Sequence, residues 1–203
     1  SRGNTVDPDE VLSKYGADTL RLFILFAAPP ADQLEYNSDG LEGAWRFLNR
    51  VYQMVEKRYV KGSPLDQEAV FGIKLDPADQ VLERERHWTI KKVGQALEEG
   101  FKFNTAISQM MILANAIDKH KSAVSRTGAV VDQSIETLVL LLAPIAPHVC
   151  EEMWQMMGKP DATIAYVPWP SYDEQAMIQS VVTMAVQVNG KVVEEPMARV
   201  LDQ

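Results

Sequence analysis

The sequence predicts a mainly α protein, an antiparallel helical bundle with a small α+β appendage at the C-terminus. Three observations support this fold class. Apolar residues recur at intervals of three and four over long segments, as they do along one face of an α-helix. Residues that cap or break helices divide the chain into short, separate elements. Close to the C-terminus the apolar pattern changes to a period of two, which is typical of a strand.

Two helices are predicted near the N-terminus. Asp7 can accept a hydrogen bond from a backbone N–H of the first turn, and Pro8 has no N–H that would be left unpaired there. Gly16 is expected to end this first helix. The second, Ala17 to Ala28, is strongly apolar and is stopped by Pro29 and the proline after it. We expect this second helix to be buried on nearly all sides.

The clearest amphipathic helix follows the capping segment Asn37-Ser38-Asp39. The apolar side chains predicted to form its buried face are Leu41, Ala44, Trp45, Leu48, Val51, Tyr52, Val55 and Tyr59. Four basic side chains fall on the opposite face: Arg46, Arg50, Lys57 and Lys61, with Gln53 between them. A one-sided basic face can contact a polyanion, although exposed helix faces also carry Arg and Lys for solubility alone.

The rest of the bundle is predicted from caps, breaks and periodicity. The segment 62–76 is polar and rich in turn residues, and Asp76 caps the helix after it. The predicted helices run from there to about Gly100, from Phe103 to Lys121, from Val130 to Ala143 and, after Pro144 and Pro147, from His148 to Met157. Four long helices with short links make an antiparallel bundle.

The pattern changes after residues 158–160. Thr163 to Val167 is predicted to form a short strand. Val181 to Val188 alternates with a period of two, and Asn189-Gly190 favours a type I′ hairpin turn, with Lys191 to Glu194 as the returning strand. These strands would begin the small α+β appendage.

Composition limits the class of protein. The single cysteine, Cys150, cannot form an internal disulfide and suits a reducing compartment, so we expect a cytoplasmic protein with no signal peptide and no membrane span. The net charge of −8 is unevenly distributed. Residues 1–40 carry 3 basic and 7 acidic side chains, 41–126 carry 14 and 11, and 127–203 carry 3 and 10. The locally basic middle can reflect either solvated helix surfaces or a polyanion partner.

No catalytic or metal-binding constellation is recognisable in the sequence. The three histidines, His87, His120 and His148, fall in different helices or at helix ends, without further ligands at metal-binding spacing. No nucleophile elbow, Walker loop or dinucleotide fingerprint occurs. We therefore expect no catalytic residue and no metal site, and a chain that is inactive on its own.

The first four residues are the exception. Ser1, Arg2, Gly3 and Asn4 combine a hydroxyl, a guanidinium, a flexible glycine and an amide in a loop before a helix. Such a loop can follow phosphate oxygens with backbone and side-chain donors.

Several segments carry a family resemblance. The N-terminal loop with Tyr15-Gly16-Ala17-Asp18-Thr19-Leu20-Arg21 resembles the segment of class I aminoacyl-tRNA synthetases that leaves the Lys-Met-Ser-Lys-Ser loop. The run Leu141 to His148, followed by Glu151, Glu152 and Trp154, resembles the last helix of their anticodon-binding bundle. Within the block Phe23 to Val51, the runs 25–30, 34–36 and 40–51 are similar to bacterial-type leucyl-tRNA synthetases, and Val186 to Lys191 resembles the opening of that family's C-terminal domain.

The resemblance implies a division of the chain and a function. Residues 1–36 would be the end of the Lys-Met-Ser-Lys-Ser loop with the helices that contact the tRNA stem, 37–160 the anticodon-binding bundle, and 161–203 a truncated start of the C-terminal domain. The chain would position tRNA(Leu) for ATP-dependent leucylation by a catalytic domain that lies elsewhere. The ATP-loop remnant would be Ser1, Arg2, Gly3 and Asn4. No cofactor would bind this fragment, whereas the whole enzyme would use ATP and Mg²⁺ and act as a monomer.

The same resemblance makes backbone phosphates of tRNA(Leu) the expected partner of the basic residues. The candidate tRNA-binding residues are Arg46, Arg50, Lys57 and Lys61, followed by Arg58, Lys91 and Lys92. No cluster of exposed aromatic residues for base stacking is recognisable beside the stripe of Arg46, Arg50, Lys57 and Lys61. One departure is that the family continues after Asn189-Gly190-Lys191 with a basic residue, whereas Val192 to Pro196 is acidic here. The alternatives are the equivalent bundle of a valyl or isoleucyl enzyme, and a stand-alone helical module that binds protein.

Overall fold

The computed structural model describes residues 7–27, 36–61, 75–120, 128–159 and 163–178, and the backbone of four short strands after them. Within these ranges the helices are α1 (Pro8–Tyr15), α2 (Ala17–Ala27), α3 (Ser38–Val55), α4 (Pro77–Glu98), α5 (Phe103–Lys119), α6 (Ala129–Leu142) and α7 (Pro147–Met156). The strands are β1 (Val181–Met184), β2 (Gln187–Val188), β3 (Lys191–Val192) and β4 (Met197–Val200). The chain is mainly α, as the sequence predicts.

The predicted capping residues start the helices. Asp7 accepts a hydrogen bond from the N–H of Asp9 at 3.0 Å, and Gly16 ends α1 with a φ of 81°, a conformation that favours glycine. Asn37 accepts from the N–H of Asp39 at 2.9 Å at the start of α3, and Asp76 accepts from the N–H of Asp79 at 2.8 Å at the start of α4. Local chemistry therefore sets these helix boundaries.

One hydrophobic core runs through the bundle. Helix α4 packs along α5 and α6, α2 packs along α3 and α5, and α7 contacts α2, α3 and α6. The largest fully buried side chains are Leu22, Leu41, Leu82, Ile90, Ile107, Met110, Leu113, Leu138, Leu141, Leu142, Ile145 and Met153. They come from six helices and from the α6–α7 junction, so the apolar faces converge on a single interior.

Two sequence expectations about burial are wrong. Helix α2 is not buried on nearly all sides, since Ile24 is 44% and Phe26 is 37% exposed. On α3, Trp45 is predicted to lie on the buried face but is 43% exposed. Phe47 is buried, although it does not belong to the buried face predicted from the spacing of apolar residues. Helix α3 contacts α2, α6 and α7, so its buried surface is shifted from the face that periodicity alone selects.

The segment after α7 also differs from expectation. Thr163 to Val167 forms a single 3-10 turn, Ile164–Tyr166, and not a strand. The Thr163 hydroxyl donates to Glu151 Oε2 at 2.6 Å, and the N–H of Ile164 donates to the same oxygen at 3.0 Å. The carboxylate on α7 therefore holds the start of this segment in a turn.

The four strands form two antiparallel pairs. Strand β1 pairs with β4, with Val181 opposite Val200, and β2 pairs with β3, with Gln187 opposite Val192. Asn189 and Gly190 lie outside the described residues, so the type I′ turn between β2 and β3 stays a prediction. The small α+β appendage is likewise not confirmed by these short pairs.

The junction between α6 and α7 is closed by two side chains of α2. Pro147 starts α7, and Ala146 before it has no side chain that could cap the helix. Asp18 supplies the missing acceptor: its Oδ2 accepts from the N–H of Val149 at 2.7 Å, and its Oδ1 lies 2.8 Å from Nδ1 of His148. One turn further, Arg21 donates to the carbonyls of Ile145 at 2.9 Å and Pro144 at 3.1 Å. Side chains of α2 therefore pair both the N–H of Val149 at the start of α7 and the carbonyls of Pro144 and Ile145 after the end of α6.

Cys150 lies on the inner face of α7. Its side chain is fully buried, and burial, followed by the nearby charge of Asp18, raises the pKa of its thiol. No helix in the described part of the chain is both long and apolar enough to cross a membrane.

Candidate nucleic-acid interface

Two basic residues, on the outer face of α3 and of the π-helical turn that continues it, are exposed to solvent. The apolar side of α3 packs into the bundle, which leaves Arg46, Gln53 and Lys57 exposed to solvent. Among the described residues, no carboxylate pairs with Arg46 or Lys57. These two cations therefore need not exchange an existing partner to bind an anion.

Arg50, between them, already has partners. Its Nη2 donates to Asn115 Oδ1 at 2.8 Å, and its Nε lies 3.2 Å from Asp118 Oδ2, both on α5. A groove of about 370 Å³ between α3, α5 and α6 is lined by Arg50, Lys57, Arg58 and Asp118. Asp118 weakens the positive potential at this point of the predicted basic stripe.

Arg58 is held even more firmly. Its Nε and Nη2 donate to the two carboxylate oxygens of Asp132 at 2.5 and 2.9 Å, and Nη2 also donates to the Gly128 carbonyl at 3.2 Å. The bidentate contact raises the pKa of Arg58. Beside it, burial and then the charge of Asp132 raise the pKa of Tyr59. The Arg58 guanidinium serves to join α3 to α6.

A π-helical turn, Glu56–Val60, continues α3 and shifts the position of Lys61 around the helix axis. The N–H of Lys61 bonds to the carbonyl five residues back, at Glu56, and the Lys61 ammonium bonds to the Glu56 carboxylate at 2.7 Å. The wider turn breaks the α-helical phase assumed in the sequence. Of the predicted tRNA-binding residues on α3, only Arg46 and Lys57 are therefore both exposed and unpaired among the described residues.

The two predicted basic residues on α4 lie in an aromatic cluster. The Lys91 ammonium is 5.4 Å from the ring centroid of Tyr172 and 6.0 Å from that of Trp88, and the Lys92 ammonium is 5.5 Å from that of Trp88. Lys91 also lies 3.2 Å from the Glu174 carboxylate. Trp88 and Tyr172 are too far apart in sequence for any local pattern to associate them.

His87 fastens the segment that carries Tyr172 to α4. The N–H of Asp173 can only donate, so Nδ1 of His87 accepts it, at 2.9 Å. Nε2 of the same ring lies 2.9 Å from Glu83 Oε1. Arg86 donates to both oxygens of the same carboxylate. Burial alone would raise the pKa of Glu83, but these contacts with His87 and Arg86 outweigh it and lower the pKa to about 2.

Replacing Glu83 with glutamine should lower the free energy of unfolding by about 2 kcal/mol at pH 7, since a half-buried charged contact is lost. The folded pKa lies below the unfolded value of 4.5, so the contribution of Glu83 is complete above pH 4.5 and disappears as the pH falls towards 2. Urea unfolding at several pH values between 7 and 3 measures this. The exposed Glu98→Gln serves as the control, and a pH-independent difference would contradict the assignment.

The histidines in the described ranges each meet one carboxylate: His87 meets Glu83, His120 meets Asp79 at 3.0 Å, and His148 meets Asp18. The described residues contain no group of three or more His, Cys, Asp or Glu side chains placed to hold a metal ion. The predicted ATP-loop remnant, Ser1 to Asn4, lies outside the described residues.

Comparison with known proteins identifies the family. A family model described as the anticodon-binding domain of tRNA ligase matches residues 79–197, more than half of the chain. The chain belongs to this family. The alternative of a stand-alone helical module that binds protein is therefore not favoured.

The relatives of this anticodon-binding domain show which tRNA ligases it is similar to. The chain is 44% identical over 194 residues to a leucine–tRNA ligase of Alcanivorax borkumensis and 41% identical over 201 residues to one of Pseudomonas putida. These matches cover 95% and 98% of the chain but 23% of each relative. The predicted similarity to bacterial-type leucyl-tRNA synthetases is confirmed, and the valyl and isoleucyl alternatives are not favoured.

A solved structure has the same architecture. The crystal structure of the ternary complex of Agrobacterium radiobacter K84 agnB2 LeuRS, tRNA and LeuAMS contains a chain that matches with a TM-score of 0.79 and 28% identity. The match covers all of this chain and 26% of that one. The bundle described above is thus the arrangement found in a leucyl-tRNA synthetase.

Proposed function

We propose that this chain is the part of a leucine–tRNA ligase that binds tRNA(Leu) and positions it for leucylation by the rest of the enzyme. Family membership and the leucine–tRNA ligase relatives support tRNA as the partner. The observation that carries the proposal within the chain is the pair of exposed cations on α3, Arg46 and Lys57, which have no carboxylate partner among the described residues.

Contact through these cations would follow the physics of phosphate binding. Each Lys or Arg that meets a phosphate releases a condensed counterion, which favours association and weakens it as salt rises. Such contacts fix the orientation of the RNA without reading its bases. Arg50 and Lys61 would add to this surface only by exchanging Asp118 or Glu56 for a phosphate.

The remaining functional expectations belong to the whole enzyme. We propose that it uses ATP and Mg²⁺ outside the described residues, acts as a monomer and works in the cytoplasm. The family resemblance supports the first two, and the buried, single Cys150 suits the third.

The double variant Arg46→Glu/Lys57→Glu should weaken tRNA(Leu) binding by more than about tenfold at low salt and lower the slope of log affinity against log salt by about 2. Fluorescence anisotropy with labelled tRNA at several salt concentrations measures both. The matched control is Lys102→Glu/Lys119→Glu, which makes the same charge change at exposed residues at the two ends of α5. Equal losses in the two double variants, or none in the first, would reject the assignment.

A further inference from the structure

A cleft of about 580 Å³ lies beside the α6–α7 junction, and the tRNA contact proposed above does not involve it. Leu140, Ala143 and Pro144 line it from the end of α6 and the residues that follow, and Val167 and Trp169 line it from the segment after α7. Sites for small molecules typically measure roughly 300 to 1,000 Å³ and have mainly apolar walls with a few polar groups. The cleft therefore has the size and the lining of a site for a small, largely apolar molecule.

The walls of the cleft are held in place by the fold. Four of the lining residues are prolines, whose rings restrict the backbone angle φ. The Glu151 carboxylate accepts hydrogen bonds from the Thr163 hydroxyl at 2.6 Å and from the N–H of Ile164 at 3.0 Å, which ties the segment after α7 to α7 itself. A ligand that enters a preformed cleft does not have to order its walls, so more of the contact energy appears as affinity.

Arg21 brings a positive charge to the cleft. Its Nε donates to the carbonyl of Ile145 and its Nη2 to that of Pro144, which fixes the position of the guanidinium. A guanidinium has five N–H donors, so these two bonds leave three for other partners. No carboxylate in the described ranges forms an ion pair with Arg21. The group is therefore oriented to receive an acceptor from a ligand, and a carboxylate is the acceptor that a guanidinium binds most strongly.

The other charged groups at the cleft are engaged by the protein. Asp18, which is 8% exposed, contacts Nδ1 of His148 and accepts the N–H of Val149. The His148 side chain also lines the cleft and is 79% exposed. Glu151 opposes an anion by its charge, but its Oε2 already accepts two hydrogen bonds. Unused donors on Arg21 and an occupied acceptor on Glu151 favour an anionic ligand over a cationic one.

We propose that this cleft binds a small apolar carboxylate, an aryl or branched alkyl acid whose carboxylate meets Arg21. Its hydrocarbon body would lie against Ala143, Val167 and Trp169, where burial of apolar surface favours association. Ligand and surface both differ from those of tRNA binding, so the proposal does not rest on the proposed function.

The test uses three probes that share one hydrocarbon body and differ in charge. The full chain is titrated with 3-phenylpropanoate, with 3-phenylpropanol and with 3-phenylpropylamine, and binding is followed by the shifts of backbone amide signals in NMR spectra. We expect the acid to bind about tenfold or more tightly than the alcohol, because a charge-assisted hydrogen bond to Arg21 is added to the same apolar contact. The amine should bind most weakly of the three, since it meets the guanidinium with a like charge.

Variants separate the charge from the cleft. Arg21→Gln should lower the affinity for the acid to that for the alcohol and change the affinity for the alcohol by less than about twofold. Glu151→Gln should raise the affinity for the acid about two- to fivefold, because the amide removes a like charge and still accepts the same two hydrogen bonds. Ala165→Trp should fill the cleft and abolish binding of both ligands. The matched control Ala27→Trp adds the same side chain at an exposed position outside the cleft and should change neither affinity.

Three results would overturn the proposal. They are the absence of shifts at the cleft residues with the acid, equal affinities for acid and alcohol, and an equal loss of both ligands in Arg21→Gln. The last would mean that Arg21 only supports the junction. Thermal unfolding of each variant establishes that it is folded. If Arg21→Gln does not fold, the acid and alcohol titrations of the unaltered chain and of Glu151→Gln still test the charge, and an affinity for the acid that Glu151→Gln lowers would reject the site.

Discussion

Asp18→Ala is expected to lower the free energy of unfolding by about 3 kcal/mol. The carboxylate accepts the N–H of Val149 and contacts Nδ1 of His148, and it is only 8% exposed. Alanine leaves a backbone donor at the start of α7 unpaired in a poorly solvated position. Because Ala146 cannot cap this helix, no neighbouring side chain takes over.

The measurement is urea unfolding followed by circular dichroism. Asp7→Ala is a suitable control because Asp7 also caps a helix, but it does so on the exposed α1, where water can replace the carboxylate. We expect that control to cost about 1 kcal/mol or less. Arg21→Lys should give an intermediate loss, since an ammonium cannot reproduce the directed bonds of a guanidinium to two carbonyls. Equal losses at Asp18 and Asp7 would mean that the α6–α7 junction does not depend on α2.

Asp132→Ala should destabilise the chain by about 2 to 3 kcal/mol, because it leaves the Arg58 guanidinium without its bidentate partner. The pair is partly open to solvent, with side-chain exposures of 21% and 23%, so the loss should be smaller than for a fully buried ion pair. Chemical unfolding of Arg58→Met, Asp132→Leu and Arg58→Met/Asp132→Leu gives the coupling free energy. The double variant should recover much of the stability, since two apolar side chains can fill the same interface.

The same variants test how the basic residues divide their roles. Arg58→Met should lower stability but change tRNA affinity by less than about threefold, because its guanidinium is engaged by Asp132. If Arg58→Met instead weakens tRNA binding as much as Arg46→Glu/Lys57→Glu, Arg58 leaves Asp132 in the complex and binds the RNA.

The sequence predicts the elements well where the determining chemistry is local. Asp7, Asn37 and Asp76 are acceptors within three residues of the N–H groups they pair, so the helix starts follow from the residues themselves. The same holds for Gly16, whose positive φ ends α1. The fold class follows from adding these helices together.

The sequence predicts less where the partner is distant. Arg58 and Asp132 are separated by 74 positions, and Asp18 and Val149 by 131. The sequence contains one signal for the second pair: Pro147 begins a helix with no capping side chain before it, so an acceptor must come from elsewhere. It does not say which residue supplies that acceptor.

At the candidate site, too, the sequence predicts what depends on local pattern and misses what depends on distant residues. Regular periodicity correctly leaves Arg46 and Lys57 outside the bundle, but it cannot anticipate the π-helical turn or the carboxylates that engage Arg50, Arg58 and Lys61. The cluster of Trp88 with Tyr172 depends on the path of the segment after α7, which local pattern misassigned at Thr163 to Val167.

The buried thiol of Cys150 also makes the protein convenient for kinetic measurement. It is the only cysteine in the sequence, and in the folded state a thiol reagent reaches it only when α7 leaves the core. The rate of its alkylation in native buffer therefore reports transient opening of the bundle without any added label. In the same way, a new cysteine placed on the surface for a fluorophore or cross-linker would react selectively while Cys150 stays protected.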